Sequence, residues 1–490
     1  MSEGNDQLTG VQYKPHKAGT MISYGFGKFV AEFFTLAFSA WGFYFYEDVV
    51  GLSTWWTALG WIIYAVWNAI NDPLIGFLTN KVPKGKLAKK YGRRFPYVIF
   101  GALPWAFFYL LIFIPPNVDP DKFGWVLFLW LTLGSCIFDT FYSLWDVQYQ
   151  ATFPEKFRGE SERRKAAGIA TMVGIFGIAL GSLLPSMLIS KNSPLRSDFL
   201  TQGVVMSLVG FGAVLLMLPS LKADPYMKSR FEQSQKYEKE QGRTNFFKDL
   251  WFALTNRNLM AFFLLYMLYQ SLSQLMTGSI PYFVEYVIER PAGDVTFIMA
   301  GFLIGALGSI PFWLFYAKKI KDNQYLIIIG GFLLAGVTVP FIFLQKSVPL
   351  VIGNLTLNSF NIFLWMILWG SMLGLFWSMT GPVMADVVDE IVVKTKVRKE
   401  GTYMGLRAFF GRLAYVVQAL SFAIVHEITG FIEQGAVADQ PAAAILGIRV
   451  HMGLIPVICM VLGTIIFMFM NTLNPKKNAD IKKQLEELKL

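Results

Sequence analysis

Residues 63–76 read Ile63-Tyr64-Ala65-Val66-Trp67-Asn68-Ala69-Ile70-Asn71-Asp72-Pro73-Leu74-Ile75-Gly76: a carboxylate lies deep in an apolar run, with an amide one helical turn before it. A membrane helix needs about 20 mostly apolar residues, and the stretch 55–80 has that length. A charge inside such a helix costs at least ~2.5 kcal/mol on insertion scales, so it faces a protein interior or a water-filled path and has a task there. Residues four apart share a helix face. Asn68 and Asp72 are therefore expected to point together at one small cation or proton.

The same reading of the rest of the chain gives twelve spans: 22–47, 55–80, 97–115, 124–152, 166–190, 200–221, 259–287, 295–317, 325–344, 361–388, 403–430 and 446–471. The apolar segment 350–358 is expected to extend the tenth span or to form a surface helix. Only 16% of the chain is charged, against roughly 25% in soluble proteins. Its 45 Phe, 20 Tyr and 14 Trp suit lipid-facing helices and interfacial belts. The expected fold is an all-α polytopic membrane protein with 12 transmembrane helices in two six-helix bundles.

Basic residues alternate between loops. The 81–96 loop has seven and the 153–165 loop five, while Lys122, Lys191, Arg196, Arg290 and Lys346 are nearly all that the intervening loops carry. The positive-inside rule then puts both termini in the cytoplasm. The expected organisation is a cytoplasmic N-terminus (1–21), one bundle (22–221), a cytoplasmic central loop (222–257), a second bundle (258–471) and a cytoplasmic tail (472–490), in the plasma membrane. The first 20 residues have no apolar core ahead of a cleavage site, so the first span is expected to remain. The net charge of +10 is read as orienting charge in loops, with no nucleic-acid partner.

Enzyme patterns are missing. Cys136 and Cys459 lie in apolar runs without metal or disulfide spacing. His16, His426 and His451 have no zinc-type partner at i+4, and there is no phosphate-binding P-loop. The expectation is a non-enzyme without cofactor, acting as a single chain in the bilayer.

Within the spans stand Lys28 and Glu32, one turn apart, then Asp72, Asp139, Asp146, Asp386, Asp389, Arg407 and Arg412. Glu32 can pair with Lys28 or face a cargo. Asp139 can pair with a basic residue of another helix. Asp386 and Asp389 suit an ion pair at the cytoplasmic boundary. Asp72 and Asp146 lack a basic neighbour within a turn and suit a transport pathway. Arg407 and Arg412 can neutralise carboxylates across the bundle. Tyr142, Trp145 and Tyr149 bracket Asp146, and Trp365, Trp369 and Trp377 line the tenth span. These rings suit packing or lipid contact, or a sugar platform, since a sugar offers C–H faces to rings and hydroxyls to carboxylates.

Six spans, a polar middle and six more follow the outline of carriers that bind cargo near the midplane between two rocking halves. The chain resembles the glycoside–pentoside–hexuronide:cation symporters of the major facilitator superfamily, the group of melibiose permease. The resemblance runs from Ser23-Tyr24-Gly25-Phe26-Gly27 to about Phe431. It is carried by 46–53, Trp67-Asn68-Ala69-Ile70-Asn71-Asp72-Pro73, Gly92-Arg93-Arg94-Phe95-Pro96-Tyr97, Phe376-Trp377, 384–389 and Glu400-Gly401-Thr402-Tyr403. It implies a cation site at Asp72, with Asn68 where a second Asp is usual and Ser143 as a hydroxyl ligand, so that Na+ or H+ is the coupling ion. It also implies a sugar site at Glu32, Asp146 and Trp377, with Tyr142 nearby and Gln150 where melibiose permease has Trp; Lys28 and Tyr149 join the candidate substrate site by their positions beside Glu32 and Asp146. The fifth-span arginine of the family has no clear counterpart near Ile169, and Arg412 aligns approximately with an eleventh-span lysine. Arg93 and Arg94, with Asp386 and Asp389 opposite, are expected to latch the cytoplasmic gate. The expected activity is cation-coupled symport of a sugar or glycoside. A lysolipid carrier, an uncoupled uniporter and a sensor of the same fold are the rivals.

Overall fold

The computed structural model describes residues 14–79, 85–157, 160–189, 195–228, 251, 254–320, 322–344, 351–352, 355–356, 358–395 and 400–487. Several expectations fall outside these: most of the central loop, and the basic residues in 80–84, 158–159, 190–194, 321, 345–350, 396–399 and 488–490.

Among the described residues, twelve long helices form two sets of six. In the first half they are α1 (Ala18–Tyr44), α2 (Thr54–Leu78), α3 (Phe95–Ile112), α4 (Pro120–Lys156), α5 (Glu160–Leu188) and α6 (Arg196–Met217). In the second they are α7 (Arg257–Tyr282), α8 (Val295–Ile320), α9 (Asn323–Thr338), α10 (Asn358–Thr395), α11 (Glu400–Thr429) and α12 (Ala442–Met470). Ten of them, α3 to α12, are long and apolar enough to cross a membrane by length and composition. Lys28 and Glu32 dilute α1, and Asn68, Asn71 and Asp72 dilute α2. Both nonetheless pack within the bundle, α1 on α5, α6 and α7, and α2 on α4 and α11. The all-α, two-bundle expectation holds.

Side chains cap the starts of α4, α7 and α9. Asp119 accepts from the Asp121 amide at 3.0 Å, Asn256 from Leu259 at 3.0 Å and Asp322 from Tyr325 at 3.0 Å, each satisfying an otherwise unpaired donor. The segment 350–358 departs from expectation: Val351–Ile352 and Leu355–Thr356 pair antiparallel. Each half also has a helix pair in backbone contact. A methyl group added at Gly177 or Gly181 of α5 would strike the backbone of Phe29 or Phe33 on α1, and one at Gly370 or Gly374 of α10 would strike Phe302 or Ala306 on α8.

Among the described residues, a wider, π-helical turn follows α1 at Phe45–Val49 and α7 at Phe283–Val287, and another interrupts α12 at Val450–Leu454. Such turns re-aim side chains and recur at functional sites. The first two have related sequences, Tyr44-Phe45-Tyr46-Glu47-Asp48-Val49 and Tyr282-Phe283-Val284-Glu285-Tyr286-Val287, at corresponding places in the two halves.

Candidate functional site

Midway along the bundle, α2 and α4 of the first half meet α11 of the second. Asp72 Oδ1 accepts from Ser143 Oγ at 2.5 Å, and its Oδ2 is in an ion pair with Arg412 of α11. The Arg412 Nη1 lies 3.7 Å from Asp139 Oδ1. Asn71 ties the α4 partners together, donating to Asp139 Oδ2 at 3.0 Å and to Ser143 Oγ at 3.0 Å. Asn68 donates to Tyr64 at 3.2 Å and makes no hydrogen bond to Asp72. The amide oxygens of both Asn68 and Asn71 are buried with no hydrogen-bond partner among the described residues. Asp72 is thus paired across the halves, which the missing basic neighbour on its own helix did not reveal. Asn71 is the member that sequence reasoning passed over; its signal was a second amide within four residues on the same span.

One to two turns along α4, Asp146 accepts from Gln150 at 2.6 Å and is also hydrogen-bonded to Tyr142. Glu32, half-buried on α1, interacts with Lys28, whose methylenes lie over Gly174 of α5. Asp146, Arg412, Asp72 and Glu32 all lie near enough to Tyr142 to act on it electrostatically. Tyr149 is engaged elsewhere: it stacks on Tyr24 at 4.3 Å, and its hydroxyl donates to the Tyr24 carbonyl at 2.8 Å. On the opposite half, Trp377 packs edge-on to Phe302 at 6.0 Å. Arg407 lies over the Tyr266 ring at 5.2 Å within its own half.

Among the described residues, the hydrogen bonds of Arg93, Arg94 and Asp386 run to partners in their own halves. Arg94 donates to Glu155 at 2.6 and 3.0 Å and to Gln148 at 2.7 Å, and Arg93 to Glu155 at 3.1 Å. Burial would raise the Glu155 carboxyl, but the two guanidinium groups outweigh it and hold it below the usual range. Asp386 accepts from Asn323 at 3.2 Å and from Asn478 at 3.1 Å. Asp389 is half-buried on the same helix.

At the other end the halves are joined. Tyr44 donates to Glu285, Tyr282 to Glu47, and Tyr286 to Asp48 at 2.6 Å. Ser186 and Thr296 meet at 2.6 Å, and Gln434 donates to the Val49 carbonyl at 2.9 Å. Among the described residues, every hydrogen bond between the halves lies at the Asp72–Arg412 level, at Ser39–Tyr415 (3.1 Å) or at this end.

Two bundles that meet at a charged, part-buried midplane and, among the described residues, hydrogen-bond to each other there and toward the Glu47 end, have the major facilitator fold of secondary transporters. The solved D-xylose–proton symporter shares that fold, with a TM-score of 0.62 at 14% identity over 94% of this chain and 98% of that one. The chain belongs to the MFS/sugar transport protein family, which matches residues 23–473. Relatives include the "Sodium-dependent lysophosphatidylcholine symporter 1-A" of Danio rerio, 22% identical over 82% of this chain and 76% of that one. The "Putative glycoside/cation symporter YagG" of Escherichia coli is 23% identical over 95% and 94%. The chain is thus an integral membrane protein of a symporter family.

Proposed function

We propose that this protein moves a sugar or glycoside by alternating access, coupled to a sodium ion at Asp72. The Asp72–Arg412 pair carries the reading. One carboxylate of the first half is compensated by a cation of the second, and an arriving ion competes for the same oxygens. Ser143 Oγ and the unpaired amide oxygens of Asn68 and Asn71 are further donors. Leaving a buried acceptor unpaired costs ~1–3 kcal/mol. A metal ion satisfies several oxygens at once and a proton only one, which favours Na+ over H+. Arg412, once displaced, keeps Asp139 as a partner. The empty carrier crosses with Arg412 on Asp72 and the loaded one with the ion there. A bare carboxylate in low dielectric is disfavoured in transit, and this couples the fluxes.

In this reading Glu32 and Asp146 accept sugar hydroxyls, Gln150 and Lys28 fix those carboxylates, and Tyr142 and Trp377 face the ring. Tyr149 braces α4 against α1 behind the site. The bundles 22–221 and 258–471 rock with both termini and the 222–257 loop in the cytoplasm. The Arg93–Asp386 end then faces inside and the Glu47 end outside. Arg93, Arg94, Asp386 and Asp389 change partners as the inner gate shuts.

A second reading, transport of a lysolipid or similar amphiphile, is favoured by the sodium-dependent lysophosphatidylcholine symporters among the relatives that match most of the chain. Reconstituted protein given labelled glycosides, pentosides, hexuronides and a lysophospholipid, under a Na+ gradient, an H+ gradient or neither, tests both. Accumulation of one sugar under the Na+ gradient is the expected result. Sugar equilibration without accumulation rejects the coupling, and lysophospholipid uptake alone rejects the sugar.

A further inference from the structure

Four groups absent from the transport scheme, Glu47, His426, His451 and Ser279, form a chain at the Glu47 end of the carrier. The imidazole of His426 on α11 is buried between Glu47 and His451, with Nδ1 2.9 Å from Glu47 Oε1 and Nε2 3.0 Å from His451 Nε2. The His451 Nδ1 lies 2.7 Å from Ser279 Oγ. Glu47 belongs to the first half, and the other three to the second.

Counting protons along this chain leaves one to be supplied. Ser279 Oγ lies 2.6 Å from the Leu275 carbonyl. A carbonyl only accepts, so the single hydroxyl proton of Ser279 points there. Ser279 must then accept from His451, which carries its proton on Nδ1. Neutral His451 therefore presents a lone pair at Nε2, and His426 must donate to it from its own Nε2. A neutral His426 would now turn the lone pair of Nδ1 toward Glu47 Oε1. With Glu47 ionised, two acceptors would face each other at 2.9 Å. The contact is attractive only with one more proton than neutral imidazoles and an ionised Glu47 supply, held by the His426–His451 pair or by Glu47.

Other groups around the chain do not supply that proton. From α1 and its turn come Tyr44 and Asp48. Thr54 of α2 donates to Glu47 Oε1 at 2.5 Å and lies 3.2 Å from Glu433. From α7 come Tyr282, which donates to Glu47 Oε2, and then Glu285 and Tyr286. Among the described residues, no lysine or arginine forms an ion pair with Glu47, Asp48 or Glu285.

We infer that Glu47 and His426 form a binding site for one regulatory proton that locks the Glu47 end of the carrier shut. Closing this end takes up the proton, and opening it parts Glu47 from His426 and returns the proton to the same side. No proton is carried across; acidity on that side holds the gate closed. This goes beyond the sugar and sodium reading and needs no cargo to observe.

The test uses nitroxide pairs at Ser53→Cys and Ala438→Cys, both exposed positions at this end, in nanodiscs, with Cys136→Ala and Cys459→Ala. Electron–electron distances are measured from pH 5 to 9. The closed-to-open ratio is expected to rise as pH falls, approaching tenfold per pH unit within the titrating range, the limit for one linked proton. In Glu47→Gln the amide donates to His426 Nδ1 permanently, and the ratio should no longer follow pH. His426→Gln, which donates to Glu47 in the same way, repeats the test should the first variant fail to fold. A wild-type ratio that ignores pH, or that opens in acid, overturns the inference. Variants that titrate like the wild type overturn it too and move the proton to Asp48 or Glu285.

Discussion

The two ends of this carrier are fastened by different chemistry. At the Glu47 end, three carboxylates are each capped by a tyrosine of the opposite half. The related turns Tyr44–Val49 and Tyr282–Val287 exchange bonds reciprocally, Tyr44 to Glu285 and Tyr282 to Glu47. At the Arg93 end, the bonds among the described residues stay within one half, with Arg94 on Glu155 and Asp386 on Asn323 and Asn478. One end holds the halves together through neutral donors in a buried setting; the other stores charge that keeps each half intact on its own. Substitutions at the first should shift a conformational balance, and substitutions at the second should weaken one bundle.

The largest effect is expected between the two ends, where a charge pair joins the halves. Arg412→Ala leaves Asp72 and Asp139 uncompensated; losing one partner of a buried ion pair costs ~3–5 kcal/mol. Gradient-driven accumulation should then fall by ~100-fold or more in a proteoliposome assay. Asp72→Asn should abolish accumulation yet spare sugar counterflow, and unchanged accumulation would refute the coupling assignment. Next comes the reciprocal pair. Tyr44→Phe and Tyr282→Phe each strand a carboxylate oxygen, at ~1–3 kcal/mol, and should open the Glu47 end by roughly tenfold, read from the same spin-label distances. Markedly unequal effects would break the correspondence between the two turns. Arg94→Gln should lower the melting temperature in detergent while leaving those distances unchanged.

Smallest is the pH response of the Arg93 end. The Glu155 carboxyl is held below its usual value by Arg94 and Arg93, so its stabilising contribution is complete above the ordinary carboxylate range. It is lost as pH falls through the depressed value. The melting temperature should decline in that acid window for the wild type, and less so for Glu155→Gln.

The helices were legible in the sequence because each had to supply its own 20 or so apolar residues. The pairing of Val351-Ile352 with Leu355-Thr356 was not, although the two dipeptides flank a Gly-Asn pair, a sequence signal for a two-residue turn. Asp72 and Arg412 stood out singly as charges inside spans, but their pairing joins positions 340 residues apart, and no spacing rule reaches that far. His426 and His451 were dismissed by a test for partners within one helix, whereas they meet across two. The clearest missed signal was local: Tyr44-Phe45-Tyr46-Glu47-Asp48-Val49 recurs as Tyr282-Phe283-Val284-Glu285-Tyr286-Val287, and an internal repeat in a carrier points to symmetric elements of its halves.

The glycines along α5 and α10 bear on how the molecule is made. Lipid offers no hydrophobic drive for helices to associate, and close backbone approach at small residues supplies it instead. The α1–α5 contact at Gly177 and Gly181 and the α8–α10 contact at Gly370 and Gly374 each join helices that are not consecutive in the order of synthesis. Each bundle would thus acquire its seam only when its later helix arrives. A bulky residue at any of these four glycines would appear as a failure of biogenesis, with little protein reaching the membrane.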